Sequence, residues 1–330
     1  MDFHLENNLN PALIELLKKT TLGTNGAKYK HLDIEKRVHL LDNPLHYSLK
    51  RKEKIIGNIT FCNREKAIYL RYLAFDKRFQ GTGIKKSNTS KNILKNKIKC
   101  LFEQLESEQK KCFYAYIDPK NTRSKWLSEQ FGFVSQGKLV TQTFSRLYPK
   151  LSNNLSIIHD FNEISTIVRN QYRNHHFYFE KQCSLPEFLA IKNENNEILA
   201  LAKFTKVNWE ISRLPGKFGG ILTKIIRYIP FINKLINPKL HSFIVPEIVC
   251  LPSNESIHLQ QLFTSALAHH GVNSLIWWID INDQIYQENF KKIKWGLMDK
   301  ILGKSSVEIV VRGKNDKIIY PFFVCAFDMI

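Results

Sequence analysis

The sequence predicts an α/β protein of two tandem domains, each a sheet flanked by helices. Three observations predict it. The chain has 330 residues, long for one domain and comfortable for two of about 150 each. Both halves carry the same order of two paired strands, a third strand, a helix, a strand and a helix. Finally, Tyr116 precedes Gly132 and Asp280 precedes Gly296 by the same sixteen residues, which reads as a duplication. With Asn153 and Asn154 near the junction, the expected domains are residues 1–150 and 151–330.

In the first half, PALIELLKK (11–19) reads as a short helix with proline in its first turn. Leu45–Lys50 and Lys54–Cys62 flank the charged turn Arg51-Lys52-Glu53 as a hairpin, and Ala67–Phe75 is a third strand rich in β-branched and aromatic residues. Ile93–Glu106 places Ile93, Leu94, Ile98, Leu101, Phe102 and Leu105 near helical spacing. Cys112–Ile117 is the next strand, and Asn121–Gln130 a short helix ending at Phe131-Gly132-Phe133. The second half predicts a helix at Phe161–Arg173, strands at Phe188–Lys192, Glu197–Trp209 and His241–Leu251, and a helix at Ser256–His270. A strand at Asn273–Asp280, a helix at Gln284–Lys294 and a closing hairpin around Gly313-Lys314-Asn315-Asp316 complete it.

Hydrophobic residues make up 43% and charged residues 24% of the chain, the balance of a globular protein rather than a disordered one. The cysteines at 62, 100, 112, 183, 250 and 325 form no Cys-x-x-Cys pair and have no histidines at zinc-finger spacing, so they read as reduced core thiols. His175-His176 and His269-His270 are adjacent pairs whose side chains diverge, so no metal site is expected. The first residues lack the basic and apolar regions of a signal peptide. Phe218–Ile236, the most apolar long stretch, holds Lys224, Arg227, Pro230 and Lys234, too much charge for a spanning helix. A cytoplasmic location follows.

The net charge is +19 and uneven, with 29 Lys and Arg against 14 Asp and Glu in residues 1–150. Such a field attracts polyanions: nucleic acid, anionic membrane or a phosphorylated cofactor. No nucleic-acid recognition motif accompanies it. Within this half, Gln80-Gly81-Thr82-Gly83-Ile84 follows a strand and precedes a helix, the place where unblocked backbone N–H groups can hold a pyrophosphate. From Lys77 to Lys99 the chain has eight Lys and Arg and no acid, a basic collar around that turn.

These residues resemble a family. AIYLRYLAFDKRFQGTGI is similar to the fourth strand and following loop of the GNAT acyltransferase superfamily, and NTRSKWLSEQFGF to its second motif through Asn121, Leu127, Gly132 and Phe133. The resemblance covers most of residues 45–135 and implies a mostly antiparallel mixed sheet. It also implies that the backbone of Gln80, Gly81, Thr82, Gly83, Ile84 and Lys85 binds the pyrophosphate of acetyl-CoA or another acyl-CoA. Main-chain groups at Leu73, Ala74 and Phe75 would hold the pantetheine arm, and Asn121 would contact the cofactor or order its loop. An amine or hydroxyl acceptor would attack the thioester directly, its carbonyl polarised by a backbone N–H. Lys85 stands where the signature has Gly or Ala, and Lys86–Asn92 lengthens the connection to the helix. Ser128 occupies a position that is often a tyrosine acting as general acid, so Tyr114, Tyr116 or solvent would supply that proton.

The second half keeps less of this pattern. Its counterpart of the glycine turn is Leu251–Ser256, with Pro252, Asn254 and Glu255 and no Gly-x-Gly; Ser256 or Asn254 reads as a helix cap, and Ile285 replaces the second-motif asparagine. This implies a degenerate GNAT-like domain, structural or acceptor-binding, as tandem GNAT proteins of the N-myristoyltransferase and Fem types work with one competent half. An inactive GNAT-fold ligand-binding or interaction protein is the alternative, favoured by Ser128 and Lys85. The second half also carries an insertion at about 210–239. There Lys217, Lys224, Arg227 and Lys234 share one helical face opposite Ile221, Leu222, Ile225, Ile229 and Ile232, with Pro230 splitting the helix. Packing of the apolar face on the parent domain is the default expectation, and docking of Lys217–Lys234 on an anionic membrane the other.

Overall fold

The structure, a computed structural model, describes residues 3–6, 9–23, 26–52, 54–76, 88–179, 187–226, 228–313 and 318–330. The glycine turn Gln80–Lys85 lies outside the described residues, as do Cys183 and Arg227. The first half runs β1 (Phe3–Glu6), α1 (Pro11–Lys19), β2 (Lys28–His31), α2 (Ile34–His39), β3 (Pro44–Arg51), β4 (Lys54–Asn63), β5 (Ala67–Phe75), α3 (Asn88–Gln109), β6 (Cys112–Ile117), α4 (Thr122–Gln130) and β7 (Val134–Ser145). The second continues with β8 (Leu155–Ile158), α5 (Phe161–Tyr172), β9 (Phe188–Lys192), β10 (Ile198–Arg213), α6 (Gly219–Ile226), α7 (Pro230–Leu235), β11 (His241–Cys250) and α8 (Ser256–His269). It ends with β12 (Ser274–Asp280), α9 (Gln284–Asn289), α10 (Leu297–Leu302), β13 (Ser305–Arg312) and a 3-10 turn at Ala326–Met329.

The strands join in one mixed sheet in the order β1-β3-β4-β5-β6-β13-β7-β12-β11-β10-β9-β8, with β2 added beside β10. Pairing is antiparallel except at β5–β6 and β11–β12. Both exceptions follow from connection: a helix, α3 or α8, carries the chain back over one face before the next strand, which a parallel pair requires. Helix α3 supplies Ile98, Leu101, Phe102 and Leu105 to a core with Phe61, Phe113 and Phe133. Helix α8 does the same with Leu259, Leu262, Phe263 and Ala266 against Phe144, Leu275 and Trp277.

Lys314, Asn315 and Asp316 of the expected closing hairpin lie outside the described residues, and the strand before them makes a crossover. Strand β13 leaves the second half and inserts between β6 and β7, pairing Val311 with Tyr114 on one side and Val307 with Leu139 on the other. Three contacts fasten it there. Arg312 donates to the Phe131 carbonyl and pairs with Glu106 Oε2 at 3.1 Å, while Glu308 meets Lys125 Nζ at 3.0 Å. Ile309 and Val311 enter one core and Val310 the other, so a strand with two apolar faces suits an interior position. Past Gly313, Phe322 makes an isolated bridge to His176 rather than a ladder with β13.

The 210–239 insertion forms two helices, α6 and α7, parted at Pro230. Of the expected apolar face only Leu222 and Ile232 pack partly on the core, and the residues that seat α6 are Gly219, Thr223 and Ile226. Gly219 lies so close to Leu214 that a Cβ would sit 1.7 Å from its carbonyl oxygen, and Thr223 Oγ1 accepts from Leu214 N at 2.9 Å. This close contact of small residues turns Ile221, Ile225 and Ile229 to solvent.

Candidate functional site

Strands β5 and β6 pair only over Ala67–Tyr69 against Cys112–Tyr114, although β5 continues to Phe75 and β6 to Ile117. Their divergence has a local cause. Across β4 and β5 the register passes from Thr60↔Arg71 to Asn58↔Ala74, so Tyr72 and Leu73 together oppose Ile59. Such a bulge bends a strand and sharpens its twist. Tyr72 holds φ at +49°, and buried Asn58 braces the kink, its Nδ2 donating to Thr60 Oγ1 at 2.8 Å and to the Tyr72 carbonyl at 3.4 Å. On the other side of β4, Gly57 leaves room for the Phe75 ring, which a Cβ would meet at 2.4 Å.

The gap so opened is a cleft of about 370 Å³. Arg71–Ala74 form one wall and Ala115–Ile117 the other; Asn121, Leu127 and Ser128 of α4 border it, as do Tyr29 and His31 of β2. Asp328, Met329 and Ile330 close its floor. Among the positions singled out from the sequence, Leu73, Ala74, Tyr116, Asn121 and Ser128 line this cleft. Tyr114 does not: its hydroxyl receives a hydrogen bond from Arg64, and its ring stacks on Phe177 at 4.3 Å. Asn121 caps α4, its Oδ1 accepting from Ser124 N at 3.1 Å, and Ser128 Oγ donates to the Lys125 carbonyl at 2.7 Å.

The floor is held by a buried charge cluster that sequence reasoning did not find. Asp328 accepts from both Arg64 amino groups, Tyr69 Oη donates to the Asp328 carbonyl at 2.8 Å, and Arg71 donates to the Ile330 carbonyl. Burial opposes the Arg64 charge, but the Asp328 carboxylate outweighs it and holds Arg64 cationic. The partners are 264 residues apart, beyond the reach of any local pattern. The one charged residue in the strand AIYLRYLAF, Arg71, is the sequence signal that points to it.

Burial dominates the electrostatics of the cleft. It pushes the Tyr116 phenol well above its ordinary value, with Asp328 adding to the shift, and Tyr29 up to about 12. Burial, with Arg71 and Arg37 nearby, pushes His31 down to about 3, so its ring is neutral. Among the described residues, His31 Nδ1 is buried without a hydrogen-bond partner, while Tyr72 Oη lies against Arg71. An orphan polar group on the wall of a cavity is what a ligand would satisfy.

The corresponding place in the second half is filled by the chain. Strands β11 and β12 pair at Ile244↔Leu275 and then part. Tyr172 Oη occupies the freed edge of β11, and Phe322 N donates to Asp280 Oδ2 at 2.8 Å across the gap. Burial raises the Asp280 carboxyl against these hydrogen bonds. Glu255, not Ser256 or Asn254, takes the cap position of α8, without a side-chain bond, and Asn254 instead reaches Glu288.

No protein-family model matches the sequence, and no curated protein does. Solved structures do. The chain is similar to Saccharomyces cerevisiae N-myristoyltransferase with bound myristoyl-CoA, at TM-score 0.58 and 9% identity over 93% of this chain and 80% of that one. It is similar to a tandem GNAT protein from the clavulanic acid biosynthesis pathway, at TM-score 0.53 and 8% identity over 92% and 95%. A GCN5-related N-acetyltransferase from Anabaena variabilis matches at TM-score 0.45 and 11% identity over 85% of this chain, which spans 66% of that protein's length. By its likeness to the tandem GNAT protein, the chain has the GNAT fold, twice in tandem within one mostly antiparallel sheet.

Proposed function

We propose that the protein is an acyl-CoA-dependent acyltransferase whose single working site is the β5–β6 cleft, walled by residues 1–150 and floored by Asp328–Ile330, with residues 151–330 otherwise a degenerate, supporting domain. One observation carries this reading: the first divergence of parallel strands is an open cleft, and the second is closed by the chain's own side chains. The fold, shared with an N-myristoyltransferase that holds myristoyl-CoA, supports it.

In this reading the thioester arm of acetyl-CoA or a longer acyl-CoA lies along Leu73–Phe75, and the backbone of Gln80–Lys85 takes the pyrophosphate. An amine or hydroxyl acceptor enters from the side of His31 and Tyr72 and attacks the thioester carbon. The tetrahedral intermediate collapses by breaking the carbon–sulfur bond, and the acceptor's proton passes to solvent. Tyr116, neutral throughout the physiological range, donates a hydrogen bond to the departing thiolate. Ser128 cannot take that part while its hydroxyl is directed to the Lys125 carbonyl.

Calorimetric titration with acetyl-CoA and with a long-chain acyl-CoA tests the reading. One molecule should bind per chain, Gly83→Trp should abolish binding, and Asn254→Ala should not. Absence of binding by either thioester to the folded protein would sink it. The alternative, a GNAT-fold protein that binds its ligand without turning it over, is favoured by Ser128; it predicts binding without acyl transfer to any amine.

A further inference from the structure

The α6–α7 segment presents a surface that the fold does not explain. Phe218 is 73% exposed, Ile221 59%, Ile225 47%, Tyr228 73% and Phe231 60%. These are large apolar or aromatic side chains on one short excursion from the sheet, and α6 is seated by its opposite stripe, so none of them is needed to fix it. A contiguous apolar surface rimmed by polar groups marks a docking site on a soluble face.

The charge around it selects the occupant. From Ile211 to Leu240 the chain has Arg213, Lys217, Lys224, Arg227, Lys234 and Lys239 and no Asp or Glu. Lys217, Lys224, Lys234 and Lys239 are exposed among the apolar residues. Lys234 lies over the Tyr148 ring at 4.1 Å, and that ring is itself exposed and extends the aromatic rim. A protein partner would usually call for mixed charge and shaped polar contacts at such a rim. Cations of one sign around aromatic and aliphatic side chains instead match an anionic lipid surface, where aromatic rings sit at headgroup depth and lysines meet phosphates. Neither helix is long and apolar enough to cross.

We infer that α6 and α7 dock the protein peripherally on an anionic lipid bilayer. Phe218, Ile221, Ile225 and Phe231 enter the headgroup boundary, and Lys217 and Lys224 face the lipid charge. The docked segment adjoins the cleft through the sheet: it leaves the end of β10, where Ile211 pairs with Tyr29, a residue of the cleft wall. The inference goes beyond the acyl-transfer reading and does not depend on it.

The test is co-sedimentation of the full chain with vesicles, without any thioester. The protein should pellet with phosphatidylcholine vesicles containing phosphatidylserine and stay in solution with phosphatidylcholine alone. Molar salt, which shortens screening to about 3 Å, should release it. Lys217→Glu with Lys224→Glu should lower partitioning roughly tenfold or more. Phe218→Ser with Phe231→Ser should do the same, and both variants should keep the wild-type melting temperature because the changed residues are exposed. Failure of the folded wild type to pellet with anionic vesicles overturns the inference, as does binding that neither variant weakens. So does a dimer in sedimentation velocity that Phe218→Ser with Phe231→Ser dissociates, since a second copy would then cover this face.

Discussion

Tyr172 Oη accepts from Val249 N and donates to the Val249 carbonyl, both at 2.8 Å, so one side chain satisfies both main-chain groups of a strand where its parallel neighbour has turned away. Val249 lies near the end of β11, the counterpart of Leu73–Phe75 near the end of β5. In the proposed first site a pantetheine amide would meet those main-chain groups; in the second half a tyrosine already does. Phe323 packs edge-on against the Tyr172 ring at 5.0 Å and keeps it in place.

Binding should therefore be one acyl-CoA per chain. Tyr172→Phe leaves the buried N–H and carbonyl of Val249 unsatisfied, at about 1–3 kcal/mol for such a group, and should lower the urea midpoint accordingly. It should not create a second binding event, because the ring still fills the gap. A stoichiometry of two in calorimetry, for wild type or variant, would contradict the assignment.

Asp328 should be among the most sensitive positions in the chain. It is the carboxylate partner of Arg64 and lies within 4.0 Å of Arg71, with all three side chains buried. Removing one member of a buried ion pair costs about 3–5 kcal/mol, since the remaining charge stays desolvated. Asp328→Asn should destabilise by that order in urea unfolding. It should also loosen the Met329–Ile330 floor of the cleft, measurable as faster amide exchange at Tyr69 and Arg71.

Much of this architecture was legible from the chain. Ala67–Phe75 and Cys112–Ile117 were read to the residue, because uninterrupted β-branched and aromatic runs bounded by polar turns have few other uses. The bulge at Tyr72 was not, since it is braced by Asn58 on a neighbouring strand and has no glycine or proline to announce it. Val307, Ile309 and Val311 announce a strand, but alternation does not name neighbours, and β13 finds its own in the other half. Strand β2, KYKH, is four residues with two lysines and is held by its pairing with β10 and a bridge from Tyr29 to Leu22. In α6 the helical period identifies the helix, but of the expected apolar face Leu222 packs partly on the core while Ile221 and Ile225 face solvent. Ranking by hydrophobicity favours Ile221 and Ile225, whereas close approach favours Gly219 and Thr223, and close approach prevails.

Stability should fall in mild acid through the buried histidines. Burial, with Arg71 and Arg37 nearby, holds His31 at about 3, and burial alone holds His241 at about 4, against an ordinary value of 6.5. Because both folded values are depressed, the unfolded chain takes up protons first. The stabilisation from a neutral ring is full above 6.5 and is lost as pH falls toward the folded values. Between pH 7 and pH 5 each histidine should cost about 2 kcal/mol. Urea midpoints across that interval should drop for the wild type and drop less for His31→Gln. An unchanged pH slope in that variant would show that His31 titrates normally in the fold.

Tyr116 offers the sharpest test of the chemistry. It lines the cleft where β6 leaves β5, and burial keeps its phenol protonated far above neutral pH. Such a group makes a poor proton source in bulk terms, but it need only hydrogen-bond the thiolate as charge develops on sulfur. Loss of general-acid assistance costs about 100-fold or more in rate. Tyr116→Phe should therefore reduce kcat by about that order with little change in acyl-CoA affinity. The loss should shrink when the leaving thiol is made more acidic, because a better leaving group needs less help. Tyr114→Phe should instead act on stability, since the Tyr114 hydroxyl serves Arg64 and lies outside the cleft. Equal losses of turnover in the two variants, or full activity in Tyr116→Phe, would remove Tyr116 from the mechanism and leave solvent as the proton source.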